Sequence, residues 1–253
     1  MSKGYLVIDC GTTNLRVTLL GEHRKVVDAV RADGGVRHTA IDGDNSRLRR
    51  TLKGAIDEAA YLGATAMAFL AGHWDEATKE QAYAQLVKTT NALCDYAAEK
   101  GLHIVMENHG FFINGSDRVL SLIEAINRPN LKMTVDVGNF LCVDEDPVAA
   151  VKKCLPYAEM IHLKDFYIRK KEQLPDQTDM FNCNLGRWFE TMGGKMLRGA
   201  ILGQGDMDVW EILRMIKHSG FDGYISLEFE GMEPSEQGTE IGLSMARAIL
   251  SRV

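Results

Sequence analysis

The sequence predicts an α/β fold: a TIM-barrel-like (β/α) barrel that lacks the usual first two βα units and carries an N-terminal β-meander. Three observations predict it. From residue 46 onward, short apolar runs alternate strictly with stretches of helical spacing, the pattern of a parallel sheet. Four of those runs end in a side chain that can ligate a metal. Before residue 46 the runs are joined by tight polar turns, which make antiparallel neighbours.

Taken in order, Tyr5-Leu6-Val7-Ile8 is an apolar run, Asp9 to Asn14 a polar turn, and Leu15 to Leu20 a second strand. Gly21 to Arg24 turns, and Lys25 to Arg31 extends again. Residues 33–45, rich in Gly, Asp and Asn, read as a loop. Asn45 or Ser46 caps a helix with apolar positions at Leu48, Leu52, Ala55, Ile56, Ala59 and Ala60, and Gly63 stops it. Strand 65–70 follows, then a helix from about Glu76 to Lys100 with Gly101 behind it. Next come strand 103–107, a helix from Ser116 or Asp117 to Ile126, and strand 132–136. Asp146-Pro147 is an N-cap followed by proline at the first helical position. Strand 159–163 precedes a long insert, 166–197, in which Trp188 and Phe189 read as packing residues. A short strand 200–202, a helix opened by the capping box Asp208-x-x-Glu211, strand 224–228 and a helix of about 236–251 complete the chain. That is six strands where a closed barrel needs eight.

In a parallel barrel the strand C-termini share one face, and catalytic residues come from several of them. Here Glu107 is followed by Asn108-His109-Gly110, Asp136 by Val137-Gly138-Asn139, His162 by Leu163-Lys164-Asp165, and Glu228 by Phe229-Glu230-Gly231. Three carboxylates and one imidazole suit Mn²⁺, Mg²⁺ or Co²⁺, with Zn²⁺ less favoured.

Composition excludes other classes. Net charge is -6 and no long basic run is present, which argues against a nucleic-acid partner. No apolar run approaches a membrane span. The five cysteines show no paired spacing and read as reduced thiols of a cytoplasmic protein. Met1-Ser2-Lys3-Gly4 leads straight into a strand, so no signal peptide is expected.

Residues 53–253 resemble the sugar phosphate isomerase/epimerase family, the xylose isomerase-like barrels. The resemblance rests on Glu107 to Gly110, Asp136 to Asn139, His162 to Asp165, Arg198-Gly199 through Asp206, and Gly223 to Gly231. Residues 1–52 instead resemble the start of a 2-dehydro-3-deoxygalactonokinase, a sugar-acid kinase, through Ile8 to Arg16 and Gly35 to Leu48. The chain thus reads as a chimera of a kinase-like segment 1–52 and a barrel 53–253.

The first resemblance implies that Glu107, Asp136, His162 and Glu228 hold a divalent metal, with Glu107 and Glu228 also moving protons. A divalent ion on an α-hydroxy carbonyl stabilises the enediolate left by C–H deprotonation. Two carboxylates on opposite sides of a sugar or sugar phosphate then take and return the proton, giving epimerisation or isomerisation. His109 and Asn139 are candidates for substrate contact and equally for structural roles. Lys164 offers a phosphate or hydroxyl contact, or is solvated. Arg198 offers an anion contact, and His73 a further strand-end imidazole. Gln204 stands where a Glu or His is common and cannot act as a base. Four readings compete: this enzyme with impaired turnover, an inactive recombined fold, an endonuclease IV-like phosphodiesterase, and a kinase using residues 9–14. An incomplete barrel leaves strand edges to cover, so a homo-oligomer is expected.

Overall fold

A computed structural model describes residues 5–10, 14–20, 26–33, 46–69, 79–174 and 187–253. They form two compact units, Met1–Phe112 with Ser121–Lys132, and Ile113–Leu120 with Met133–Val253.

The first unit opens with the expected meander. Strands β1 (Tyr5–Cys10), β2 (Asn14–Leu20) and β3 (Val26–Asp33) pair antiparallel in sequence order. Tyr5 lies opposite Leu20, and Asn14 opposite Asp33. Helix α1 (Ser46–Tyr61) buries Leu52, Ala55, Ile56 and Ala59, the stripe that its spacing predicts. The side chain of Leu48 lies outside the described residues, as does the expected start of the next helix at Glu76. Strand β4 (Ala66–Phe69) runs parallel to β5 (His103–Glu107), with helix α2 (Lys79–Ala98) between them in sequence. Every β5 residue from Ile104 to Glu107 is buried, as a parallel strand covered on both faces requires. The Asn130 side chain donates to the carbonyls of Cys94 (2.8 Å) and Leu102 (3.2 Å), closing the end of α2 onto the start of β5. Gly63 and Gly101 stop the two helices at φ of 75° and 71°, where only glycine is unstrained.

Helix α3 (Ser116–Ile126) and strand β6 (Leu131–Asp136) each contribute residues to both units. Within the second unit, β6, β7 (Ala158–Leu163) and β11 (Tyr224–Leu227) are parallel, in the order β11-β7-β6. Helix α4 (Pro147–Cys154) links β6 to β7, and Asp146 caps it by accepting from the Ala149 N–H at 2.8 Å. Helix α5 (Val209–His218) leads into β11 and buries Val209, Ile212, Leu213 and Ile216. Its cap is Asp208, which accepts from the Glu211 N–H at 3.0 Å. Helix α6 (Ser235–Leu250) ends the fold.

One expected strand is corrected. Ala200-Ile201-Leu202 is not a parallel barrel strand: the run ends at Ala200 as the antiparallel strand β10 (Lys195–Ala200). β10 lies between β8 (Asp165–Lys170) and the short β9 (Phe189–Glu190), so the span read as an insert, 166–197, is largely a three-stranded antiparallel sheet that reaches past it to Asp165 and Ala200. The chain turns after Ala200 because the Asp165 carboxylate takes the N–H groups of Gly203 and Gly205, each at 2.9 Å, which a strand ladder would otherwise need. The parallel strands among the described residues therefore number five. Around the insert, Leu141, Cys142, Phe166 and Leu197 form a core cluster, and Phe189 meets Phe166 edge-on at 5.7 Å. Trp188 is also buried, as expected of a packing residue.

Candidate metal centre

The parallel register of the second unit builds the site. Asp136 on β6 lies opposite His162 on β7. The Glu228 N–H continues the β11–β7 ladder past Leu227 by donating to the Leu163 carbonyl at 2.8 Å. Three side chains from three neighbouring strand ends thus converge. One ligand atom each of Asp136, His162 and Glu228 lies within 4.8 Å of the others. Asp136 is fully buried, and its Oδ1 accepts from the N–H groups of Gly138 (2.9 Å) and Asn139 (3.0 Å). That fixes the carboxylate and leaves Oδ2 to face the other groups. His162 Nδ1 stands 2.9 Å from Glu228 Oε1.

Lys164 is not solvated. Its side chain is 3% exposed, and Nζ lies 2.8 Å from Glu228 Oε2, 2.9 Å from Asp136 Oδ2 and 3.3 Å from Glu230 Oε1. Burial alone would push this ammonium toward the neutral form. Asp136, Glu228 and Glu230 outweigh it and hold Lys164 charged well above the usual lysine range. Burial would likewise raise the Glu228 carboxyl, but the hydrogen bond with His162 and the charge of Lys164 bring it below the usual carboxylate range. Two carboxylates and an imidazole are the donors that a hard or borderline divalent ion takes, so this set fits such a metal.

The other expected residues fall as follows. Glu107 ends β5 in the first unit and is buried. His109, also in that unit, is exposed, one residue before the turn at Gly110 (φ 80°). Asn139 is buried at the start of a 3-10 turn, and its carbonyl accepts from Asn114 Nδ2 at 2.8 Å. Arg198 lies within β10, not before a strand. Its guanidinium sits 4.8 Å from the Tyr167 ring and 5.2 Å from the Trp188 ring, cation–π distances that fix its direction. Gln204 is an exposed turn residue. His73 lies outside the described residues, as do Gly11, Thr12 and Thr13 of the phosphate-loop-like turn.

Three groups were missed. Glu230 is the third partner of Lys164; its spacing of two from Glu228 was the available signal, since alternate residues of an extended segment share a side. Tyr167 lies directly opposite Arg198 in the β8–β10 ladder, visible only once that pairing is known. Asp165 is 1% exposed and accepts from four backbone N–H groups, those of Phe166, Gly203, Gly205 and Met207. Burial nonetheless raises its carboxyl pKa. A Cβ on Gly205 would fall 2.3 Å from Asp165 Oδ1, so the loop closes over the carboxylate only with glycine there.

Parallel strands with interposed helices and a carboxylate–histidine cluster at the strand ends define an α/β fold of the barrel type. The chain belongs to the xylose isomerase-like TIM barrel family, whose profile matches residues 12–249. A curated relative, inosose dehydratase of Clostridium perfringens (strain 13 / Type A), is 25% identical over 154 residues, covering 60% of this chain and 48% of its own. The chain thus spans about half the length of the curated relatives it matches. Among solved structures, a xylose isomerase domain protein from Planctomyces limnophilus superposes with a TM-score of 0.63 at 23% identity, over 84% of this chain and 67% of that one. A xylose isomerase-like TIM barrel protein from Mycobacterium smegmatis in complex with magnesium gives 0.59 at 17%, over 80% and 67%. These two likenesses establish the fold and no more, since one fold hosts many chemistries.

Proposed function

We propose that this chain is a divalent-metal-dependent enzyme of carbohydrates that moves a proton beside a carbonyl, as an isomerase or epimerase of a sugar or sugar phosphate. The observation that carries this is the convergence of Asp136, His162 and Glu228 within 4.8 Å of one another. Glu107, ending β5 as Asp136 ends β6, is proposed as the fourth ligand. The metal would be Mn²⁺, Mg²⁺ or Co²⁺, with Zn²⁺ less favoured by the oxygen-rich donors. When bound, such an ion supplies Lewis acidity to the carbonyl and hydroxyl oxygens of an α-hydroxy ketone or aldehyde.

The remaining steps belong to the side chains. Asp136, pinned by two backbone N–H groups, keeps its orientation without a substrate. Glu228 stays ionised at neutral pH under the influence of His162 and Lys164, the state that both a ligand and a proton acceptor need. One of Glu107 and Glu228 takes the proton from carbon, leaving an enediolate. Delivery of a proton to the opposite face of the carbon by the other of the two, in its carboxylic acid form, inverts that carbon. Return to the neighbouring carbon exchanges aldose for ketose. His109, Asn139, Lys164 and Arg198 are proposed to meet substrate oxygens.

The relation to inosose dehydratase favours a second outcome from the same first step. An enediolate with a hydroxyl on the next carbon can expel it, for a net loss of water. One experiment separates these. The protein is loaded with Mn²⁺ and incubated with ketoses, aldoses and inososes in D₂O. Isomerase or epimerase action puts deuterium on carbon beside the carbonyl, whereas dehydration gives a product lighter by one water. Loaded protein should hold about one divalent ion per chain by inductively coupled plasma analysis. Glu228→Gln should abolish turnover with an unchanged far-UV circular dichroism spectrum. Full turnover by metal-free protein sinks the proposal.

A further inference from the structure

We infer that Lys164 is a built-in cation that assembles the metal ligands and competes with the divalent ion for their oxygens, so that it sets the site's metal affinity. The inference rests on reading Asp136, His162 and Glu228 as a metal site.

Its basis is the occupation of particular atoms. Asp136 Oδ1 accepts from the N–H groups of Gly138 and Asn139, which turns Oδ2 toward the cluster. Lys164 Nζ holds that atom at 2.9 Å. Glu228 Oε1 faces His162, and Lys164 holds the other oxygen, Oε2, at 2.8 Å. The ammonium therefore contacts one oxygen of each carboxylate, Asp136 Oδ2 and Glu228 Oε2. Buried carboxylates this close repel one another, and one cation among them offsets that repulsion. Lys164 also has a further acceptor, Glu230 Oε1 at 3.3 Å, on a side chain half exposed to water. The lysine stem is built in as well. A Cβ on Gly138 would fall 2.4 Å from Lys164 Cγ, so the backbone at Gly138 leaves a channel that only its lack of a side chain keeps open.

Two opposed effects follow from one residue. Without metal, Lys164 stabilises the ligand cluster. With metal, its charge beside a doubly charged ion opposes binding. Removing it should weaken the metal-free fold and strengthen metal binding, whereas a lysine that only supports the fold would do the first and not the second.

The test uses the full chain, stripped with chelator, and titrates Mn²⁺ calorimetrically at constant pH into wild type, Lys164→Met and Glu230→Gln. Lys164→Met should bind Mn²⁺ roughly ten- to a hundredfold more tightly, with a lower metal-free Tm and a larger rise of Tm on Mn²⁺ addition. Glu230→Gln leaves the ammonium with the two ligand carboxylates alone and should weaken binding several-fold. That weakening should shrink when Glu230→Gln is placed in the Lys164→Met background. If Lys164→Met is unfolded without metal, refolding by Mn²⁺ supports the inference and failure to refold overturns it. Equal or weaker Mn²⁺ binding by folded Lys164→Met overturns it while leaving the metal site standing. No saturable Mn²⁺ uptake by wild type overturns the metal site itself.

Discussion

Gly199→Ala tests how β10 is joined to the segment that carries Glu228 and Glu230. A Cβ built on Gly199 falls 2.3 Å from the Glu230 carbonyl oxygen, 2.4 Å from its carbon and 2.8 Å from the Gly231 nitrogen. All three are backbone atoms, so no rotamer change relieves the clash. β10 cannot yield easily either, because it is hydrogen-bonded along both edges, to β8 and to β9. The displacement must pass into residues 229–231. Overpacking by a methyl group typically costs about 1–3 kcal/mol, and a clash confined to backbone belongs at the upper end, near 3 kcal/mol. The control is Gly54→Ala in α1, where a Cβ meets nothing within 4 Å and the residue is exposed. Helix propensity alone should stabilise that variant by about 1 kcal/mol. Urea denaturation of the two variants at one pH, with Mn²⁺ titration of the folded proteins, measures both effects. Gly199→Ala should lose stability and bind Mn²⁺ more weakly as Glu228 moves. A loss under about 1 kcal/mol with unchanged Mn²⁺ affinity would refute the reasoning.

Acid and base titrations of stability should show three signs. Glu228 has a lowered pKa, so its contribution is present above the unfolded carboxylate value of about 4.3 and is lost as pH falls through the lower folded value; Glu228→Gln should flatten that acid limb in urea melts. Lys164 has a raised pKa, so its contribution holds below about 10.4 and is lost only as pH rises through its higher folded value. Asp165 is raised by burial, so its contribution is present below about 3.9 and lost as pH rises, the reverse of Glu228. For the thiols, burial pushes Cys94, Cys142 and Cys154 each up to about 12. In a Cys10→Ser, Cys183→Ser background, folded protein at pH 8 should not react with a disulfide reagent, and denaturant should release all three. Rapid labelling of the folded protein would contradict their burial.

Much of the site was legible because its signals are local. An apolar run that ends at or within one residue of Glu107, Asp136, His162 or Glu228 states the strand and the side chain at its C-terminal end together, and Asp146-Pro147 and Asp208-x-x-Glu211 state helix starts that the hydrogen bonds bear out. The strand expected at 200–202 was misplaced because Met196 to Leu202 is apolar enough for either ending. The choice was made by Asp165, nearly forty residues earlier in the chain, capturing the amides of Gly203 and Gly205.

The sequence by itself determined the α/β class, the order of the elements and the candidate ligand side chains at the strand ends, because period, caps and strand ends are set by near neighbours in the chain. Only the tertiary structure decided the β8-β10-β9 sheet, the placement of Arg198 beside the Tyr167 and Trp188 rings, and the burial of Lys164 among three carboxylates. Antiparallel register and ion pairing depend on which distant residues meet, and a lysine two residues past a histidine reads the same whether it faces water or three carboxylates. Burial to 3% exposure beside Asp136, Glu228 and Glu230 is what turns that lysine from a surface charge into part of the site.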